Sequence, residues 1–198
     1  MLHNFKNNLK HEKEQADRAD KFYREVLHAS EITRYNHDNE QDMIMQRKDI
    51  DCSFSINNVH YMISEKFRDK DFGDFYVEFY SKYPNTPGWI FTGSANAILY
   101  FTPENVYWVT FKSLKTFCVD QLFTTIPQCW FSDIYISHKP IKTRYLLLDK
   151  TRIPLNIIQA HNQCGECWET IGISISFEIL EKFGVKFRRY KLNSVDIR

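Results

Sequence analysis

Gln46-Arg47-Lys48-Asp49-Ile50-Asp51, followed about fifteen residues later by Ile63-Ser64-Glu65-Lys66-Phe67-Arg68, is the stretch around which this chain is organised. Ile50 to Ile56 alternates, Asn57-Asn58 is a turn signal, and Val59 to Arg68 alternates again, so the segment predicts an antiparallel hairpin. On the second strand the side chains sort by parity. Val59, Tyr61, Ile63, Glu65 and Phe67 share one face, and His60, Met62, Ser64, Lys66 and Arg68 share the other. The hairpin therefore ends in a cluster of acids and bases delivered by neighbouring strands.

Working outward, residues 5–28 predict a helix, with no Gly or Pro from Glu12 to His28 and apolar residues at helical spacing. Asp17 and Asp20 lie about one turn apart on it and read as a solvated face. Residues 30–48 are polar and predict a loop, with room for a short strand around Met43-Ile44-Met45. Asp74 to Tyr80 is an apolar run carrying Glu78, an acid that is expensive to bury without a partner. Pro87-Gly88-Trp89-Ile90 is a turn followed by an aromatic anchor. Ala97–Phe101 and Val106–Phe111 are two further strands, and Lys112 to Leu122 starts a helix. Beyond these, strands are expected near Tyr145–Leu148 and Ile171–Phe177, then a short helix from Glu178 to Phe183 closed by Gly184. The sum is a mixed α/β domain around one sheet.

The 198 residues suit one domain large enough to bury a core, and the 16 Phe and 11 Tyr argue against disorder. With 26 basic and 25 acidic residues there is no global basic field, so any nucleic-acid contact must be local. Positive charge concentrates late: residues 139–198 hold 11 basic and 6 acidic side chains. There Lys186-Phe187-Arg188-Arg189-Tyr190-Lys191 interleaves bases with aromatics, as a phosphate-pairing and base-stacking segment or as a strand with one wet face. No apolar run approaches the roughly 20 residues of a membrane span, and the polar, charged first residues are not expected to act as a signal peptide. Five cysteines without an export signal are expected to be reduced, in a cytoplasm.

The order of these features resembles the PD-(D/E)XK superfamily of nucleases, the restriction-endonuclease-like fold, and more narrowly small nuclease-like proteins of phages and bacteria. The resemblance rests on Gln46-Arg47-x-x-Ile50-Asp51, Glu65-Lys66-x-Arg68, Asp74 to Glu78, Pro87-Gly88-Trp89-Ile90 and the strand pair at Ile98–Tyr107. It covers roughly residues 12 to 115, with 139–198 as a C-terminal extension holding the basic segment. It implies a single α/β domain, residues 1–198, with a mixed central sheet flanked by helices.

The same resemblance implies a magnesium- or manganese-dependent DNA endonuclease or exonuclease in the cytoplasm of a bacterial cell or phage-infected host. Asp51 and a second carboxylate would hold the metal, Lys66 would assist the attacking water, and Arg68 with Lys186, Arg188, Arg189 and Lys191 would engage DNA. Hard cations want oxygen ligands and retain waters, so two carboxylates suffice. The second strand departs from the superfamily pattern, which places acid and lysine two apart: Ser64 stands there, and Glu65 is adjacent to Lys66. Three solutions stay open. A bulge rotates Glu65 into the site; Glu78 supplies the carboxylate; or the site is degenerate and the fold serves nucleic-acid binding or a phage structural role.

Two other constellations are set beside this one. His161-x-x-Cys164-x-x-Cys167 is spaced for three zinc ligands but lacks a fourth, and reads equally as a reduced pair near a turn. His60, on the Lys66 face, is a candidate proton carrier or an ordinary strand histidine.

Overall fold

The computed structural model describes residues 5–36, 39–164 and 166–192. Helix α1 (Phe5–Glu25) lays Ala19, Phe22 and Tyr23 onto a six-stranded sheet built from β1 (Ser30–Arg34), β2 (Cys52–Ile56), β3 (Val59–Phe67), β6 (Ala97–Phe101), β7 (Asn105–Thr110) and β11 (Phe187–Lys191). Its order is β1-β2-β3-β6-β7-β11, and all neighbours run antiparallel except β3 and β6. The β2–β3 hairpin forms as its sequence predicts. Ile56 pairs with Val59, and Asn57 and Asn58 take φ of 49° and 64°, a double left-handed turn that Asn tolerates better than most residues with a side chain.

The expectation of one central sheet is corrected. β4 (Asp74–Lys82) joins a second, antiparallel sheet with β5 (Thr86–Pro87), β8 (Ile141–Leu148), β9 (Thr151–Cys164) and β10 (Glu166–Ser176), in the order β5-β4-β10-β9-β8. Residues 139–198 thus do more than extend the domain, since β8, β9 and β10 supply most of this sheet. Both sheets bury alternate residues in one core: Phe75, Val77, Phe79, Ile171, Ile173 and Ile175 from one, Ile98, Tyr100, Tyr107 and Val109 from the other. The chain is mixed α/β with one mixed and one antiparallel sheet.

The 30–48 segment is also corrected: it holds β1 and a helix, α2 (Glu40–Arg47), where a loop or a strand at Met43–Met45 was expected. The Asn39 side chain accepts from the Asp42 backbone N–H at 2.9 Å, and Glu40 and Asp42 occupy the first turn, a capping pattern that outweighs three apolar residues in a row. His37 and Asp38, placed in the same loop from sequence, lie outside the described residues. Asp49 (φ 56°) then turns the chain from α2 into β2. Short helices α3 (Trp89–Thr92), α4 (Phe111–Lys115, running into a π-helical stretch Thr116–Phe123), α5 (Cys129–Ser137) and α6 (Phe177–Lys182) complete the chain.

Candidate active site

Strand β3 carries the centre, and its parity decides which side chains meet. Ser64 and Lys66 project from the face of the first sheet that is turned toward the second. Lys66 Nζ donates to Asp49 Oδ1 at 2.7 Å, and Ser64 Oγ donates to Asp49 Oδ2 at 2.7 Å. The left-handed turn at Asp49 thus brings a carboxylate beside Ser64. Lys66 Nζ also sits 5.3 Å from the centre of the Trp89 ring.

Asp51 lies immediately behind. Its backbone N–H pairs with Ile63 O at 2.8 Å, and its Oδ2 accepts from the Glu65 N–H at 2.7 Å. Burial raises the Asp51 carboxyl to about 6. Lys66 opposes the rise, while the Asp49 and Glu65 carboxylates add to it. Glu78 comes from the second sheet. Burial raises its pKa, the Trp89 N–H and Lys66 lower it, and Asp49 raises it further. Glu78 is held there by Gly88, where the chain passes so close over β4 that a Cβ would lie 2.3 Å from the Glu78 carbonyl oxygen.

Two cavities flank the centre. One of about 380 Å³ is lined by Lys66, Arg68, Tyr76, Glu78, Trp89 and Tyr100. The other, about 280 Å³, is lined by Asp51, Arg34, Tyr35 and Gln46 among others. Gln15, Glu65 and Phe67 border both, so they adjoin.

Glu65 does not join Asp51 as a free carboxylate. The β3–β6 register runs without interruption from Ile63↔Ala97 to Phe67↔Phe101, so no bulge rotates it. Its carboxylate accepts from Arg34 Nη1 at 2.9 Å and Nη2 at 3.2 Å, and from the Tyr23 hydroxyl, with 6% of the side chain exposed. Arg34 is tied in turn to Asp20 at 2.9 Å and to the Ala16 carbonyl at 2.9 Å. This buried knot fastens α1 and β1 to β3. Asp20, read as solvated, is part of it.

Of the predicted basic residues, only Arg68 reaches the cleft. Arg188, Arg189 and Lys191 belong to β11, three strands from β3 at the sheet edge, and Lys186 immediately precedes it. Arg189 Nε donates to Asn105 Oδ1 at 2.9 Å, and the Arg188 guanidinium lies 5.0 Å over the Tyr190 ring. His60 pairs with Ser55 near the hairpin turn, at the other end of β3 from Lys66. At the zinc-spaced residues the chain forms a regular hairpin. His161 Nδ1 is 2.6 Å from Glu169 Oε1, Cys167 pairs with Gln163 and is exposed, and the Cys164 side chain lies outside the described residues.

Among the described residues, no three His, Cys, Asp or Glu side chains already converge at metal-ligating positions. The carboxylates nearest Lys66 are oxygen donors, and burial raises two of them, Asp51 and Glu78. Asp49 and Trp89 are the members that sequence reading missed as site residues. Asp49 stood in the quoted run two before Asp51, but only the left-handed turn aims it at Lys66. No helix among the described residues is long and apolar enough to cross a membrane. Compared with known proteins, the chain matches no family model, no curated protein and no solved structure.

Proposed function

We propose that this chain is a magnesium- or manganese-assisted phosphodiester hydrolase acting on nucleic acid. One observation carries the reading: the Lys66–Asp49 pair stands between Asp51 and Glu78, each of which feels both of its charges and is raised by burial. Asp51 and Glu78 are the residues to hold the cation, which retains waters beside one or two carboxylates. When bound, the cation supplies Lewis-acid polarisation and a water of lowered pKa. Lys66 orients the attacking water and offsets negative charge developing on the phosphate oxygens. Asp49 and Ser64 hold Lys66 in place, and Arg68, bordering the same cavity, pairs with a phosphate. Glu65 is assigned to the fold and not to the chemistry.

A second reading, a nucleic-acid binder without hydrolysis, is favoured by the Lys66–Asp49 ion pair, which already engages the lysine charge at 2.7 Å. Incubation of the wild type with DNA and manganese, beside Asp51→Asn, Lys66→Ala, Glu78→Gln and Glu65→Gln, separates the two. The first three variants are expected to lose about 100-fold or more in cleavage rate. Glu65→Gln is expected to lower stability while retaining cleavage in its folded fraction. Equal cleavage by all proteins, or none by any, removes the hydrolase reading. Salt-sensitive binding with no metal dependence supports the binder.

A further inference from the structure

A third cavity, of about 360 Å³, adjoins the cleft at Arg68 and is lined by Phe67, Arg68, Asp69, Lys70 and Phe72. It shares Phe67 and Arg68 with the cavity that holds Lys66 and Glu78, and that one shares Glu65 and Phe67 with the cavity at Asp51. The three lie side by side along the end of β3, a track of adjoining hollows. Along it Lys66, Arg68 and Lys70 recur at every second position as β3 runs out. Phe72 is 63% exposed, among the most exposed large apolar side chains described. The Arg68 guanidinium stands 5.8 Å from the Phe72 ring and 5.7 Å from the Tyr76 ring. Of the nearby acids, Asp69 borders the track. Asp71 is turned into the fold, accepting from the Gly73 N–H, the Asn105 amide and the Thr102 hydroxyl at 2.9, 2.7 and 3.0 Å.

An exposed aromatic flanked by cations is suited to one kind of polymer. Single strands present unstacked base faces alongside phosphates, whereas a duplex keeps its base faces covered. We infer that the track receives a single strand of nucleic acid, with Phe72 stacking a base and Arg68 and Lys70 pairing phosphates. The strand passes inward along the track toward Lys66. The assignment of the inner end as a reactive centre rests on the hydrolase reading. Recognition of the strand at Phe72 does not.

The test is binding by full-length Asp51→Asn protein without divalent metal, so that nothing is cleaved. The probes are mixed-sequence oligonucleotides of about 12 nucleotides, within the site sizes of single-strand grooves: single-stranded DNA, single-stranded RNA and the DNA duplex. The single strand is expected to bind at least about ten-fold tighter than the duplex. Phe72→Ala is expected to weaken it by about ten-fold, the loss of one stacked base. Phe72→Trp is expected to keep the affinity and to add a fluorescence component, over the four native tryptophans, that the single strand quenches. Parallel DNA and RNA arms show which backbone the track prefers. Duplex binding as tight as single-strand binding, or Phe72→Ala binding unchanged, overturns the inference. Phe72-dependent single-strand binding by a protein that hydrolyses no nucleic acid removes only the hydrolase reading.

Discussion

Burial lifts the Asp51 carboxyl to about 6, with Lys66 pulling the other way and the Asp49 and Glu65 carboxylates adding to the rise. An unfolded chain releases this proton near the ordinary aspartate value of about 3.9. Between those values the folded state binds more protons than the unfolded one, so stability falls as pH rises from about 4 to about 6 and levels off above. Glu78, also raised by burial, contributes with the same sign. Urea denaturation across this range is expected to give a smaller fall for Asp51→Asn than for the wild type. Identical pH slopes would show that Asp51 is not the strained acid. At this scale the sequence singled out Asp51 and Lys66 as candidates, and strand parity set Glu65 on the opposite face from Lys66. It did not show that Arg34 and Tyr23 were waiting on the far face to bind Glu65.

Among the elements, the crossing of the Pro87–Trp89 segment over β4 is the tightest near the site. A Cβ at Gly88 would come within 2.3 Å of the Glu78 carbonyl oxygen, 2.6 Å of its carbonyl carbon and 2.9 Å of its Cγ. Two of these are backbone atoms, so the strand itself must shift. Gly88→Ala is expected to cost about 1–3 kcal/mol in urea denaturation and to weaken manganese binding measured by calorimetry, because Glu78 moves with its strand. Full stability with unchanged binding would contradict the crossing. The β2–β3 hairpin was legible because Asn57-Asn58 is a local turn signal between alternating runs. Helix α2 was not, because its apolar residues are three in a row and only the Asn39 cap marks its start. β9 was also missed: Ile153, Leu155 and Ile157 alternate correctly, but Arg152, Pro154 and Asn156 between them look like loop until β8 and β10 pair on both sides.

At the scale of the molecule, Phe177 joins the two sheets. It stacks on Tyr107 of the first at 3.8 Å between centroids and 13° between planes, and meets Phe75 of the second at 6.1 Å. Phe177→Ala is expected to cost about 3–5 kcal/mol. Because one core serves both sheets, near- and far-ultraviolet circular dichroism are expected to shift together as a single transition. Two separated transitions would show that the sheets fold independently. What the residues determined in isolation was local: the α1 and hairpin segments, the strand pair at 97–110, and the face each β3 side chain takes, all set by periodicity and turn chemistry within a few residues. What only the tertiary structure decided was non-local. β4 left the first sheet for a second one because its apolar face is matched by β10 nearly a hundred residues later. That placement brings Glu78 to Lys66 across the gap between sheets, while the Asp49 turn fills the space beside Ser64. The spacing of acids along the chain carries no information about such contacts, since they depend on how two sheets pack and not on the period of either.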